Sequence, residues 1–141
     1  MAINYKLIER HNPKDYEAPA KFYAQVCNTV RVDIEALSRD ISYSTTLTDV
    51  EVEGVTKALI EQITRHLAEG HSVSLGKLGT FYTTINSVGA DTAENFKANM
   101  ISKVNIRFLP STTMKGKFNL SNVQLRRISS DGTAEDIVSE P

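Results

Sequence analysis

One cysteine, Cys27, leaves no partner for a disulfide within the chain and excludes most thiolate metal centres. No apolar run approaches the roughly 18 residues that a spanning helix requires, so no transmembrane segment is expected. Nor does a charged-then-apolar leader open the chain, because Asn4, Lys6, Glu9 and Arg10 interrupt its first ten residues. A soluble protein of the reducing cytoplasm is expected. Tryptophan is absent and there are three histidines, His11, His66 and His71, none at metal-ligand spacing. His66 and His71 stand five apart across a predicted helix end, which puts them on different faces and reads as surface histidine. Gly76-Lys77-Leu78-Gly79 lacks the Gly-Lys-Ser/Thr of a phosphate-binding loop and follows a helix instead of preceding one. No enzyme chemistry, cofactor, metal site or small-molecule substrate is expected.

The most informative absence is local. The net charge is −1, but between Asn95 and Ser130 there is no acidic residue, while Lys97, Lys103, Arg107, Lys115, Lys117, Arg126 and Arg127 give +7. Residues 1–94 carry −4, and Asp131, Glu135, Asp136 and Glu140 make the last eleven residues −4. A basic block of this purity in an otherwise acidic chain suits an anionic partner, with nucleic acid the first candidate; a solvated face gives the same count. At 141 residues one domain with appendages is expected.

What is present reads as an α+β chain. Ile3, Tyr5 and Leu7 alternate with Asn4 and Lys6, predicting a strand over 3–10. Pro13 marks a loop, and the branched and aromatic residues of 22–32 predict a second strand, so that the two form an N-terminal β-hairpin; a helix over 18–27 is the rival reading. Ile34, Leu37 and Ile41 predict a short amphipathic helix from Asp33 to Ser42. Thr48-Asp49-Val50-Glu51 reads as a capping box that opens a longer helix, whose stripe of Val52, Val55, Leu59, Ile63 and Leu67 ends at Gly70. That stripe is too wide for two helices of one small chain to cover, which implies a partner subunit. Val73 and Leu75 alternate with serines, Gly76 to Gly79 predict a turn, and strands follow at about 81–85 and 101–108. Ser111 to Asn119 predicts a short helix after Pro110, and the chain beyond Asn119 reads as a polar, acidic, disordered tail.

The helical hairpin, then Val73-Ser74-Leu75-Gly76-Lys77-Leu78-Gly79-Thr80-Phe81, then Arg107-Phe108-Leu109-Pro110-Ser111 with Lys115 in the following helix, resembles the bacterial histone-like family of HU and integration host factor over residues 32–119. Gly79, Thr80 and Phe81 match that family's Phe-Gly-Thr-Phe element, with Leu78 in place of its first phenylalanine and Lys77 in place of a glycine. The resemblance implies a two-helix hairpin, a three-stranded antiparallel sheet and a C-terminal short helix, assembled as a homodimer whose paired sheets form a saddle on DNA. It implies β-arms in the minor groove, with binding through phosphates and DNA deformability more than base readout. Residues 1–31 then form an N-terminal β extension, as in a longer branch of the family, 32–119 the HU-like domain and 120–141 the tail.

The departures concern the arm. Where the family has a basic arm with an Arg-Asn-Pro tip, residues 85–94 here contain neither a base nor a proline. Leu109 stands where integration host factor often has a basic residue and Thr113 where lysine is common, whereas Lys115 matches. The expected DNA contacts are therefore Lys97, Lys103, Arg107, Lys115 and Lys117, with Lys103, Asn105 and Arg107 about 7 Å apart along one strand face, a spacing that suits successive phosphates. A charged edge that only keeps a sheet soluble has the same pattern. The expected function is that of a nucleoid-associated protein holding duplex DNA largely without sequence preference, bending or compacting it. The alternative is an HU-like dimeric scaffold that has lost its arms and binds protein.

Overall fold

The computed structural model describes residues 2–27 and 30–129, arranged as two compact units. The first combines Met1–Arg31 with the chain from Lys117 onward, and the second is Val32–Gly116.

The second unit starts with α1 (Ile34–Ser44), capped by Asp33, whose carboxylate accepts from the Ala36 amide at 2.9 Å. Helix α2 (Asp49–Ala68) follows a short turn. Its capping box is formed as its sequence demands: the Thr48 hydroxyl accepts from the Glu51 amide at 3.3 Å, and the Glu51 carboxylate accepts from the Thr48 amide at 2.9 Å. These bonds, the backbone one foremost, hold the Glu51 carboxyl below the usual glutamate range. At the other end Gly70, at φ 82°, turns the chain back in a Schellman motif, with the His71 amide donating to the His66 carbonyl at 3.0 Å and the Gly70 amide to the Leu67 carbonyl at 3.1 Å.

The chain then enters an antiparallel sheet of order β3-β4-β5, comprising β3 (Val73–Ser74), β4 (Gly79–Ser87) and β5 (Ile101–Pro110). Gly76, at φ 58°, makes the β3–β4 turn, closed by the Leu75 amide on the Gly79 carbonyl at 2.8 Å. Gly79 is required for a different reason. Its φ is 150°, and a Cβ there would collide with the Leu109 carbonyl oxygen and lie 2.8 Å from the Phe108 ring, which stacks on Phe81 at 4.8 Å. Ser111 ties the end of β5 to this turn: its amide donates to the Leu78 carbonyl at 3.1 Å, its hydroxyl donates to the Lys77 carbonyl, and the same oxygen accepts from the Met114 amide at 3.1 Å to cap α3 (Thr112–Lys117).

Among the described residues the only buried hydrophobic side chains are Val52 and Leu67, both on α2. The same helix leaves Val55 67% and Leu59 46% exposed, and the apolar face of β5 leaves Val104 61% and Ile106 67% exposed. Between α2 and the sheet lies an open cavity of about 310 Å³ lined by Thr64, Leu67, Ala68, Thr83, Val104 and Ile106.

The first unit is also a three-stranded sheet, of order β2-β1-β6. Strand β1 (Ala2–Arg10) pairs antiparallel with β2 (Lys21–Val26), as a hairpin requires, and this excludes the helix reading of 18–27. The second strand stops earlier than expected: Val26 is its last residue, after which the Cys27 amide donates to the Asn4 carbonyl at 2.8 Å. The other edge of β1 is occupied by β6 (Gln124–Arg127), running parallel to it with Ile3 opposite Leu125 and Tyr5 opposite Arg127. Part of the segment 120–141 expected to be a disordered tail is thus a strand. The physical reason is that a two-stranded hairpin is marginal alone, and a third strand covers one row of unpaired amides and carbonyls on β1. The acidic residues from Asp131 onward lie outside the described residues. No described helix is long and apolar enough to cross a membrane.

Candidate nucleic-acid interface

The register of β4 and β5 decides which side chains share a face. Lys103 stands opposite Asn86, Asn105 opposite Thr84 and Arg107 opposite Tyr82, so these six form one polar face, bearing two cations and no acid. Asn105 donates through Nδ2 to the Asn86 side-chain oxygen at 3.3 Å, which links the two strands across the middle of the face. The other face carries Val104, Ile106 and Phe108 against Ile85, Thr83 and Phe81. Lys103 and Arg107 are thereby brought to one surface as expected.

The remaining three expected contacts are placed elsewhere. Lys97 lies past the far end of the ladder, in the segment linking Ser87 to Ile101, and Lys115 lies past the near end, on α3 after the Gly79–Pro110 pair. These four bases span the sheet from end to end. Lys117 is the last residue of α3 and the first that groups with the other unit. All five are exposed, and among the described residues none is in an ion pair.

The segment that stands where the family's arm would project is the connection between β4 and β5, residues 88–100. The ladder ends at Ser87 opposite Ile101, just past a bulge at which Ser102 is the extra residue, its hydroxyl donating to the Asn86 carbonyl at 3.2 Å. Residues 88–100 close the end with a bond from the Val88 amide to the Met100 carbonyl at 2.9 Å and a single 3₁₀ turn, Ala98–Met100.

A second basic face was not foreseen. In the β2-β1-β6 sheet, Lys6 faces Gln25, Arg10 faces Lys21, and Asn4 faces Arg126, which places Lys6, Arg10, Lys21 and Arg126 on one side with no acid among them. Tyr23 belongs to that side too, with the Arg10 guanidinium 5.9 Å above its ring centre. Glu9, the acid of β1, points to the opposite face with Phe22 and Leu7. The alternation of β1 contained half of this signal; the rest depends on pairing partners distant in sequence.

His66 and His71 are also placed differently from the sequence expectation. The Schellman turn returns His71 over the end of α2, so that the two Nδ1 atoms lie 3.4 Å apart with the Glu69 carboxylate beside both.

Comparison with known proteins agrees with this architecture. The chain matches the family model HU-HIG, described as an HU domain fused to wHTH, Ig, or Glycine-rich motif, over residues 1–126. Among solved structures it is similar to a protein of Bacteroides vulgatus ATCC 8482 described as a "Putative bacterial DNA binding protein", with a TM-score of 0.63 and 12% identity. That match covers 89% of this chain and 48% of the other, so the chain spans about half the length of its structural neighbour. No curated protein matches. With a helical hairpin, a Gly79-pinned three-stranded sheet, a Ser111-capped short helix and a family match over nearly its whole described length, the chain belongs to the HU-HIG family of HU domains.

Proposed function

We propose that the chain is a DNA-binding protein of the nucleoid, not an enzyme, that grips duplex DNA through phosphates with little sequence preference and acts as a homodimer. The observation that carries this reading is the acid-free face of Lys103, Asn105 and Arg107 on an HU-family sheet, since polar side chains that recur about 7 Å apart along one strand face, with a cation at each end of the row, suit successive phosphates and carry no base code. The face of Lys6, Arg10, Lys21 and Arg126 supplies a second surface of the same chemistry. The homodimer is supported by the small core: with Val52 and Leu67 the only buried hydrophobics among the described residues, and Val55, Leu59, Val104 and Ile106 exposed, the apolar side of the second unit is half a core. Substituting Val55 and Leu59 by Glu is expected to leave a monomer in sedimentation analysis.

The test is an anisotropy titration with short duplexes of unrelated sequence at several salt concentrations. Log affinity is expected to fall with log salt at a slope of about −0.9 per phosphate neutralised, with similar values for each duplex. A second reading is a scaffold that binds protein, favoured by the short closure at residues 88–100 and the lack of a base in 85–94. Absence of binding at low salt would select it.

A further inference from the structure

We propose that His66, Glu69 and His71 form a binding site for a zinc-class divalent cation at the C-terminal end of α2. This is independent of the DNA-binding reading. Among the described residues these three are the one group of potential metal ligands whose donor atoms converge, all lying within 4.8 Å of one another. The separations are specific: 3.4 Å between the two Nδ1 atoms, 3.5 Å from His71 Nδ1 to Glu69 Oε2, and 3.8 Å from His66 Nδ1 to the same oxygen. A triangle with those edges has a point about 2.1 Å from all three corners, inside the range of about 2.0–2.2 Å for zinc bonded to imidazole nitrogen and carboxylate oxygen.

Two features make this more than surface crowding. The donors sit on backbone already fixed by the fold, since the Schellman bonds from His71 to His66 and from Gly70 to Leu67, together with the Glu69 amide on the Arg65 carbonyl at 3.1 Å, set the positions of all three residues. The two imidazoles also turn the same ring nitrogen toward each other. With Glu69 beside them, two imidazole nitrogens and a carboxylate oxygen face one point, a donor set that suits a divalent cation. Two nitrogens and one carboxylate oxygen favour zinc, nickel or copper over magnesium or calcium, which take oxygen ligands. Three protein ligands leave a position for water, and the exposure of the side chains gives an open route of entry. Bound there, the ion would tie the end of α2 to the chain entering β3.

The test is calorimetric titration of the full chain with zinc chloride, paired with ¹⁵N NMR of the histidine side chains. Saturable binding of one zinc per chain is expected, with large Nδ1 shifts at His66 and His71 and none at His11. His66→Ala and His71→Ala should each weaken binding at least ten-fold, Glu69→Gln should weaken it less, and His11→Ala should leave it unchanged. Excess magnesium should not compete. All three side chains are on the surface, so the variants are expected to keep the wild-type circular dichroism. Zinc should raise the melting temperature of the wild type and not that of His71→Ala. Equal affinity in wild type and His71→Ala, shifts at His11 of the same size, or no saturation at millimolar zinc would each overturn the assignment.

Discussion

The two sheets of this protein are alike in size and in having one acid-free cationic face, but differ in what determines them. The β3-β4-β5 sheet is antiparallel and sequential, with a glycine turn between its first two strands, a helix end before it and a capped helix after it. The β2-β1-β6 sheet has its first strand at its centre, and one edge comes from residues 124–127, running parallel. The first is organised by neighbouring residues, so its register is fixed by local turn chemistry and by the alternation that gathers its apolar residues on one face. The second closes a loop of about 120 residues, whose entropy is recovered only by pairing. Charge placement follows: the Lys103–Arg107 face is visible along one strand, whereas the Lys6, Arg10, Lys21 and Arg126 face exists only once three strands are in register.

The largest expected effect separates the two sheets by stability. Gly79→Ala places a methyl group against the Leu109 carbonyl oxygen and the Phe108 ring at a φ that alanine avoids, and is expected to cost roughly 2–4 kcal/mol. Hydrogen exchange should show lost protection in β4 and β5 while β1 and β2 keep theirs. Equal loss in both would mean that the units unfold together, and the contrast between them would then be one of topology alone.

Charge reversal compares the two faces as DNA surfaces. Lys103→Glu with Arg107→Glu should flatten the salt slope by about 1.8, the loss of two phosphate contacts, and weaken binding roughly 50-fold near 0.1 M salt for every sequence tested. Lys6→Glu with Arg10→Glu should produce a smaller decrease, because Arg10 is already engaged with Tyr23. A larger effect from the second pair would transfer the main contact to the N-terminal sheet.

How much of this was legible in the sequence follows the same division. Thr48 with Glu51, Gly70, Gly79 and Pro110-Ser111 are each a local requirement written into a few adjacent residues, and the elements they bound stand close to where the sequence places them. Strand β6 was not legible, because Gln124-Leu125-Arg126-Arg127 has a single apolar residue and its partner lies at the other end of the chain. The end of β2 at Val26 was obscured by Val30 and Val32, branched residues that continue the composition of a strand without its pairing. Of the candidate site, Lys103 and Arg107 were readable from alternation. The proximity of His66 to His71 was not, since helical spacing puts them apart and the reversal depends on the φ of Gly70.

The smallest expected effect tests the local side of the contrast by itself. Thr48→Ala removes the hydroxyl that accepts from the Glu51 amide and is expected to cost about 1 kcal/mol in urea unfolding at neutral pH. The capping box also gives that cost a pH dependence. The Glu51 carboxyl is held below its ordinary value by hydrogen bonds from Thr48, so folding favours the ionised form. The contribution is fully present above the ordinary glutamate value and declines as pH falls through the lower, folded one. Glu51→Gln should therefore lose little of its remaining stability in that acid window, while the wild type loses the box progressively. Thr48→Ala should instead keep most of the wild-type pH dependence, because the backbone amide of residue 48, the larger of the two influences, still donates to the Glu51 carboxylate and only the hydroxyl bond is lost. If Glu51→Gln instead keeps the wild-type pH dependence, another carboxylate governs acid stability, and the start of α2 is less locally determined than its sequence indicates.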